Sequence, residues 1–228
     1  MNMFDIIIII VLLIGFINGK RNGFSKQLIS TVGLLIVIGI AYIFKNPIST
    51  LMYKYLPFIN IGGKFEGVTV ITIILYEFIA FLIIFSILLT VFQILVKTSS
   101  KIEGVITKIP IVGLPSKLLG GLLGIIEMYI VVFLVLLFLS MPMVSKKHLG
   151  ESKLNSLILE HTPVLSNYTE DTRKMYDEVF EISNKYKKEK DKTGMNKEIL
   201  KKLIEYKFIT KENVDYLIST GKIEYTEE

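Results

Sequence analysis

Residues 118–144 read LLGGLLGIIEMYIVVFLVLLFLSMPMV, a stretch whose only charge is Glu127. A bilayer core about 30 Å thick needs roughly 20 apolar helical residues, with about 17 as a lower limit. This stretch meets that length. Working back toward the N-terminus, three more apolar runs appear at 67–96, 27–44 and 6–17. The first in chain order is short and reaches spanning length only when counted from Met3 to Asn18, with Asp5 near one end. Four such blocks decide the class: an all-α, four-span transmembrane helical bundle, with spans expected at about 4–18, 24–44, 67–96 and 118–141.

Beyond residue 144 the composition changes. Residues 1–144 carry ten Lys/Arg and five Asp/Glu, whereas 145–228 carry sixteen of each. The net charge of +5 therefore belongs to the membrane part, and the tail is neutral but densely charged. We read 1–144 as the membrane domain and 145–228 as a polar helical tail. The surplus basic residues sit in loops beside apolar runs, where they act as topology signals and lipid-headgroup contacts rather than as a nucleic-acid surface. The chain has no cysteine, which excludes disulfides, thiolate metal sites and thiol catalysis.

The loops order the spans. Gly19-Lys20-Arg21-Asn22-Gly23 is a tight turn between the first two helices, with glycine supplying backbone freedom and the charges stopping the span. The second helix is expected to end at Lys45-Asn46-Pro47. Tyr53, Tyr55 and Phe58, interleaved with Lys54 and Pro57, then suggest an interfacial aromatic belt. An amphipathic interfacial helix is expected around residues 102–109. Loops one and three carry Lys20, Arg21, Lys26, Lys97, Lys101, Lys108 and Lys117, against Lys45, Lys54 and Lys64 in loop two. The positive-inside rule puts loops one and three in the cytoplasm and both termini outside, although Lys146 and Lys147 pull the other way.

In the tail, Leu154, Leu157 and Ile158 mark a short amphipathic helix, and a longer one is expected over 170–190. A solvated hinge over 187–194 precedes a helical hairpin, 196–206 and 211–220, with Thr210 as N-cap and Gly221 as the stop. Ile199, Leu203, Ile204, Val214, Leu217 and Ile218 fit two facing apolar stripes.

Two stretches carry a resemblance. Phe4-Asp5-Ile6-Ile7 followed by Gly15-Phe16-Ile17-Asn18-Gly19-Lys20-Arg21-Asn22-Gly23-Phe24 is similar to the start of the colicin V production (CvpA) family. Ile109-Pro110-Ile111-Val112-Gly113-Leu114, continuing to Leu118-Leu119-Gly120-Gly121-Leu122-Leu123-Gly124, looks like that family's entry to its fourth span. The resemblance covers about 140 residues and leaves out the long tail. Where the family has an acidic residue before a basic one, this chain has Ser116-Lys117. The resemblance implies a protein of the bacterial cytoplasmic membrane, with a role in producing or exporting a peptide toxin.

Asp5, Glu77 and Glu127 are the acidic residues in or near the spans, and carboxylates in lipid mark a pathway or a pairing site. Centring the third and fourth helices near residues 82 and 131 puts Glu77 roughly 7 Å outward of the midplane and Glu127 roughly 6 Å inward. A staggered proton relay is one use; interface placement or an interhelical hydrogen bond is the plainer one. Gly15/Gly19 and Gly120/Gly124 have the small-xxx-small spacing that lets helices pack closely, within the chain or between copies. Gly120-Gly121 lacks the strand and the Gly-Lys-Ser/Thr ending of a phosphate loop. His148 and His161 have no partners at metal-ligand spacing.

The expected protein is therefore non-enzymatic, with no cofactor, metal or identifiable small-molecule substrate. Its partners would be the lipid bilayer, and further copies of itself or other membrane proteins. The competing reading is a membrane anchor whose helical tail binds a protein partner.

Overall fold

A computed structural model describes residues 2–59, 68–98, 114–141, 152–162, 165–189 and 191–223. Among these the chain is helix and turn throughout, with eight helices and no strand. Helix α1 covers Met3–Asn22, α2 Phe24–Tyr55, α3 Ile71–Thr98 and α4 Leu114–Leu139. These four are long and apolar enough to cross a membrane. The tail adds α5 (Lys153–His161), α6 (Leu165–Glu189), α7 (Lys192–Glu205) and α8 (Lys211–Ser219).

The helix ends show what the local sequence does and does not determine. Asn2 caps α1 by accepting from Met3 N at 2.6 Å, while Asp5 returns the favour by accepting from Asn2 N at 2.9 Å, a complete capping box. The five-residue turn expected after residue 18 contracts to one residue. Lys20, Arg21 and Asn22 stay helical, where basic side chains suit the negative end of the helix dipole. Gly23 alone breaks the helix, at φ 75°, a left-handed conformation that glycine adopts without strain.

Helix α2 corrects the expected end at Phe44: it continues through Pro47 to Tyr55, 32 residues in all. Lys45 does not stop it because a carboxylate on α3 neutralises the charge, as shown below. The expected aromatic belt is likewise only partial, since Tyr53 is fully buried while Tyr55 is exposed. Helix α3 starts at Ile71 rather than 67, after a turn closed by Thr72 N to Thr69 O and Ile73 N to Val70 O, each 3.0 Å. Helix α4 starts four residues before Leu118, with Pro115 in its first turn, where the missing N–H has no helical partner to lose. The expected amphipathic stretch around 102–109 lies outside the described residues.

In the tail the described residues of the expected hinge over 187–194 are helical except for Asp191. Asp191 caps α7 by accepting from Gly194 N at 2.9 Å, so α6 and α7 nearly abut. Thr210 caps α8 by accepting from Asn213 N at 3.3 Å, and the chain turns at Gly221 with φ 67°.

Two compact units result, each drawing on both sides of the composition break. One comprises Met1–Phe44, Phe81–Leu137 and Lys147–Glu160; the other comprises Lys45–Ala80, Phe138–Lys146 and His161–Glu228. The first is built from helices whose outer faces are apolar and exposed, as at Ile6, Ile10, Leu13 and Ile17, around an inner set including Ile8, Leu34, Val37, Ile130 and Phe133. The second has the tighter core: Ile71, Ile74, Met175, Val179, Ile199, Leu203 and Leu217 are essentially inaccessible. Of the expected hairpin stripes, Ile199, Leu203, Val214 and Leu217 are buried, with Ile204 and Ile218 at the margin.

Candidate functional site

Three carboxylates anchor three polar clusters, and each joins separate elements. Asp5 lies 2% exposed in the first turn of α1. Besides closing its own capping box, it accepts from Ser152 Oγ at 2.5 Å and from Leu154 N at 3.2 Å. Ser152 in turn accepts from Asn155 N at 3.1 Å at the start of α5. One carboxylate therefore sits at the positive ends of two helices, where the unpaired N–H groups of both favour a negative charge.

Glu77 is buried in α3 and pairs with Lys45 of α2 through Oε2. Its other oxygen accepts from Tyr53 Oη at 2.6 Å. Lys45 Nζ also lies 5.2 Å from the centroid of the Phe208 ring, a cation–π placement. Around this triad Tyr53, Phe58 and Tyr76 pack as an aromatic group with centroids 5.9–6.4 Å apart. Tyr176 covers the same core and meets Phe208 edge-on. Burial, with the Glu77 charge adding to it, pushes the Tyr176 hydroxyl well above the usual tyrosine range.

The tail closes the ends of α2 and α3. Lys222 Nζ donates to the carbonyls of Tyr53 at 2.5 Å, Lys54 at 3.0 Å and Leu56 at 3.2 Å, acceptors that a helix C-terminus leaves open. Asn196 Oδ1 accepts from Val70 N at 3.1 Å, just ahead of α3. Asn213 and Thr50 bond each other through side chains at 3.1–3.2 Å.

Glu127 lies midway along α4 and is half-buried. Its carboxylate accepts from Gln27 Nε2, from Ser30 Oγ at 3.1 Å and from Thr31 Oγ1 at 3.3 Å, all on the first two turns of α2. Asn22 Nδ2 donates to Gln27 Oε1 at 2.9 Å and orients that amide. A cleft of about 450 Å³ opens beside this cluster, lined by Glu127 and Gln27 and by Asn18, Arg21 and Asn22 from the last turns of α1.

Gly15 and Gly19 face Gly124 and Gly120. A Cβ built on any of the four would meet backbone atoms of the opposite helix at under 3 Å, for instance Gly120 C from Gly19 at 2.9 Å. Since 15 meets 124 and 19 meets 120, α1 and α4 run antiparallel along this seam. Ser116, the position that departs from the family pattern, accepts from Phe24 N at 3.2 Å and so caps the start of α2. Lys20, Arg21, Lys26 and Lys117 are exposed. The side chain of Lys97 lies outside the described residues, as do Lys101, Lys108 and His148, and His161 is exposed. Among the described residues no three acidic or histidine side chains converge to hold a metal ion.

The sequence offered no direct signal for the partners of these carboxylates. Lys45 reads as an end-of-span charge, and Gln27, Ser30 and Thr31 read as ordinary polar residues of an apolar run. Their common spacing does place them on one face: 27, 30 and 31 recur at helical intervals of three and four.

Four apolar helices, a glycine seam and carboxylates satisfied between helices define a multi-pass helical membrane protein. The chain belongs to the colicin V production protein family, whose pattern it matches over residues 4–163. It is 29% identical to the uncharacterized transmembrane protein YshB of Bacillus subtilis strain 168 over 185 residues, covering 76% of this chain and 99% of that protein. The family is one of membrane proteins of colicin production and not a known enzyme family. No solved structure matches the chain.

Proposed function

We propose that this protein is a non-enzymatic component of the bacterial cytoplasmic membrane that supports production or export of a peptide toxin. It acts as a packed scaffold for copies of itself or for other membrane proteins. The observation that supports this reading is how its intramembrane acids are used: Asp5, Glu77 and Glu127 each accept hydrogen bonds that tie two elements together. Gly15, Gly19, Gly120 and Gly124 serve the same end by letting the α1 and α4 backbones touch. The orientation we propose has loop one and the start of α4 in the cytoplasm and both termini outside; the basic residues Lys20, Arg21, Lys26 and Lys117 support it through the positive-inside rule. An anchor with a free partner-binding tail is the weaker reading, since Lys222, Asn196 and Asn213 are already engaged by the ends of α2 and α3.

The test is secretion. Cells that export a small peptide toxin should release less of it when this protein is removed. Full-length protein should restore release, and Gly19→Leu should not. An unchanged secreted titre after removal sinks the export role.

A further inference from the structure

We infer that the cleft beside Glu127 binds a phosphoethanolamine zwitterion, presented by the headgroup of a bilayer lipid. This goes beyond the export reading and does not depend on it.

The cleft holds one guanidinium, Arg21, and one carboxylate, Glu127. Neither neutralises the other. Among the described residues Glu127 accepts hydrogen bonds from an amide and two hydroxyls, all uncharged. A carboxylate offers about four lone-pair positions, and these three donors leave roughly one open, on Oε1. Among the described residues Arg21 makes no ion pair or hydrogen bond, so its fork of N–H donors is available. Asn18 is similar: its amide is exposed, inside an apolar helix, with no partner among the described residues. An exposed amide donor one turn from a guanidinium favours a polar, anionic occupant at this point.

Position selects the source of that occupant. Asn18, Arg21 and Asn22 are on the last turns of α1, and Gln27, Ser30 and Thr31 on the first turns of α2, so the cleft lies near the α1–α2 turn. Its Arg21 and Asn22 end, next to that turn, is where lipid headgroups reach the protein, and Glu127 lies deeper along α4. Ile14 and Ile17 next to it are about half exposed and offer apolar surface to acyl chains. A headgroup with a phosphate and a primary ammonium satisfies both ends. Arg21 holds the phosphate through paired N–H donors, with the Asn18 amide alongside. The ammonium donates to the open position on Glu127. An anionic glycerol headgroup would leave the carboxylate uncompensated, and a choline headgroup has no N–H to give it.

The measurement is lipid retention by the full-length chain. Protein reconstituted in phosphatidylcholine vesicles containing equal amounts of phosphatidylethanolamine and phosphatidylglycerol is extracted in mild detergent and its bound lipids are weighed by native mass spectrometry. Phosphatidylethanolamine should be retained about tenfold over either competitor, equivalent to about 1.4 kcal/mol. Equal retention, or preference for phosphatidylglycerol, overturns the inference without any variant being needed. Glu127→Gln should lose the preference while phosphatidylglycerol retention holds or rises; Arg21→Gln should lower retention of both. Variants that leave the preference intact also overturn it. Soluble phosphoethanolamine at millimolar concentration should fail to displace the lipid. Full displacement would show that the free zwitterion is the ligand, and overturn the assignment to a lipid.

Discussion

Glu77 carries the sharpest consequence of burial in this chain. Its side chain is 3% exposed and that of Lys45 11%, so removing one charge leaves the other in a low-dielectric core. Such a break costs about 3 kcal/mol or more, whereas replacing both partners with apolar residues is often nearly neutral. Glu77→Gln should therefore lower the thermal midpoint in detergent markedly, and the double change Lys45→Met with Glu77→Leu should recover much of it. A Glu77→Gln protein as stable as the parent would mean the pair contributes nothing. The sequence flagged Glu77 as a carboxylate in lipid but could not supply its partner. Lys45 lies 32 positions away and, taken locally beside Asn46 and Pro47, looks like the end of a span. The same blindness covers Asp5. Its capping box with Asn2 is readable at three-residue spacing, but its second role, at Ser152, depends on the chain returning 147 residues later.

Helices in this protein are positioned by backbone contact and by charges at their ends, and both make predictions at the level of the element. Gly19 and Gly39 are both glycines within apolar helices, yet a Cβ at Gly19 would strike the α4 backbone while one at Gly39 meets nothing within 4 Å. Gly19→Ala should thus destabilise by about 1–3 kcal/mol through overpacking. Gly39→Ala should stabilise by about 0.5–1 kcal/mol through helix propensity. Thermal unfolding of the two variants side by side decides the matter, since similar shifts would contradict the seam. In the tail, α6 and α7 are joined by Glu178, which accepts from Tyr206 Oη at 2.5 Å and pairs with Lys202 at 2.9 Å. The Tyr206 bond, then Lys202, hold the Glu178 carboxyl below its ordinary range, while Glu178 pushes Tyr206 up to about 12. The lowered acid contributes stability that is present above its unfolded value of about 4.3 and lost below it. The raised phenol contributes stability that is present below about 10 and lost as pH climbs toward 12. Protection of the α7 amides, taken relative to the intrinsic exchange rate at each pH, should be greatest between these limits, and Tyr206→Phe should remove its alkaline fall. An unaltered alkaline limb in that variant would assign it to other groups. The hairpin itself was legible because Thr210 and Gly221 are local signals. The start of α7 was obscured by the Lys/Glu-rich run around it, although Asp191, three residues before Gly194, is an N-cap in plain view.

Across the whole molecule, an even number of spans returns the chain to the side on which it began. Ser152 and Leu154 bond Asp5 near the N-terminus of α1, and Lys222 bonds the carbonyls that end α2. In the orientation proposed above, the start of α1 lies across the membrane from the α1–α2 turn. That turn carries Lys20, Arg21 and Lys26, and the positive-inside rule assigns it to the cytoplasm. In the orientation proposed above, the tail is external. Alkaline phosphatase fused after residue 228 should be active, and a green fluorescent protein fused there should be dark. Lys146 and Lys147 argue for the reverse, but they lie next to a tail whose sixteen acidic residues balance its sixteen basic ones, and whole domains cross largely regardless of charge. Replacing Lys20, Arg21 and Lys26 together with glutamine should weaken or invert the fusion result, because it removes the bias at loop one. A bright fluorescent fusion in the unaltered chain would place the tail in the cytoplasm and reverse the orientation proposed for every span.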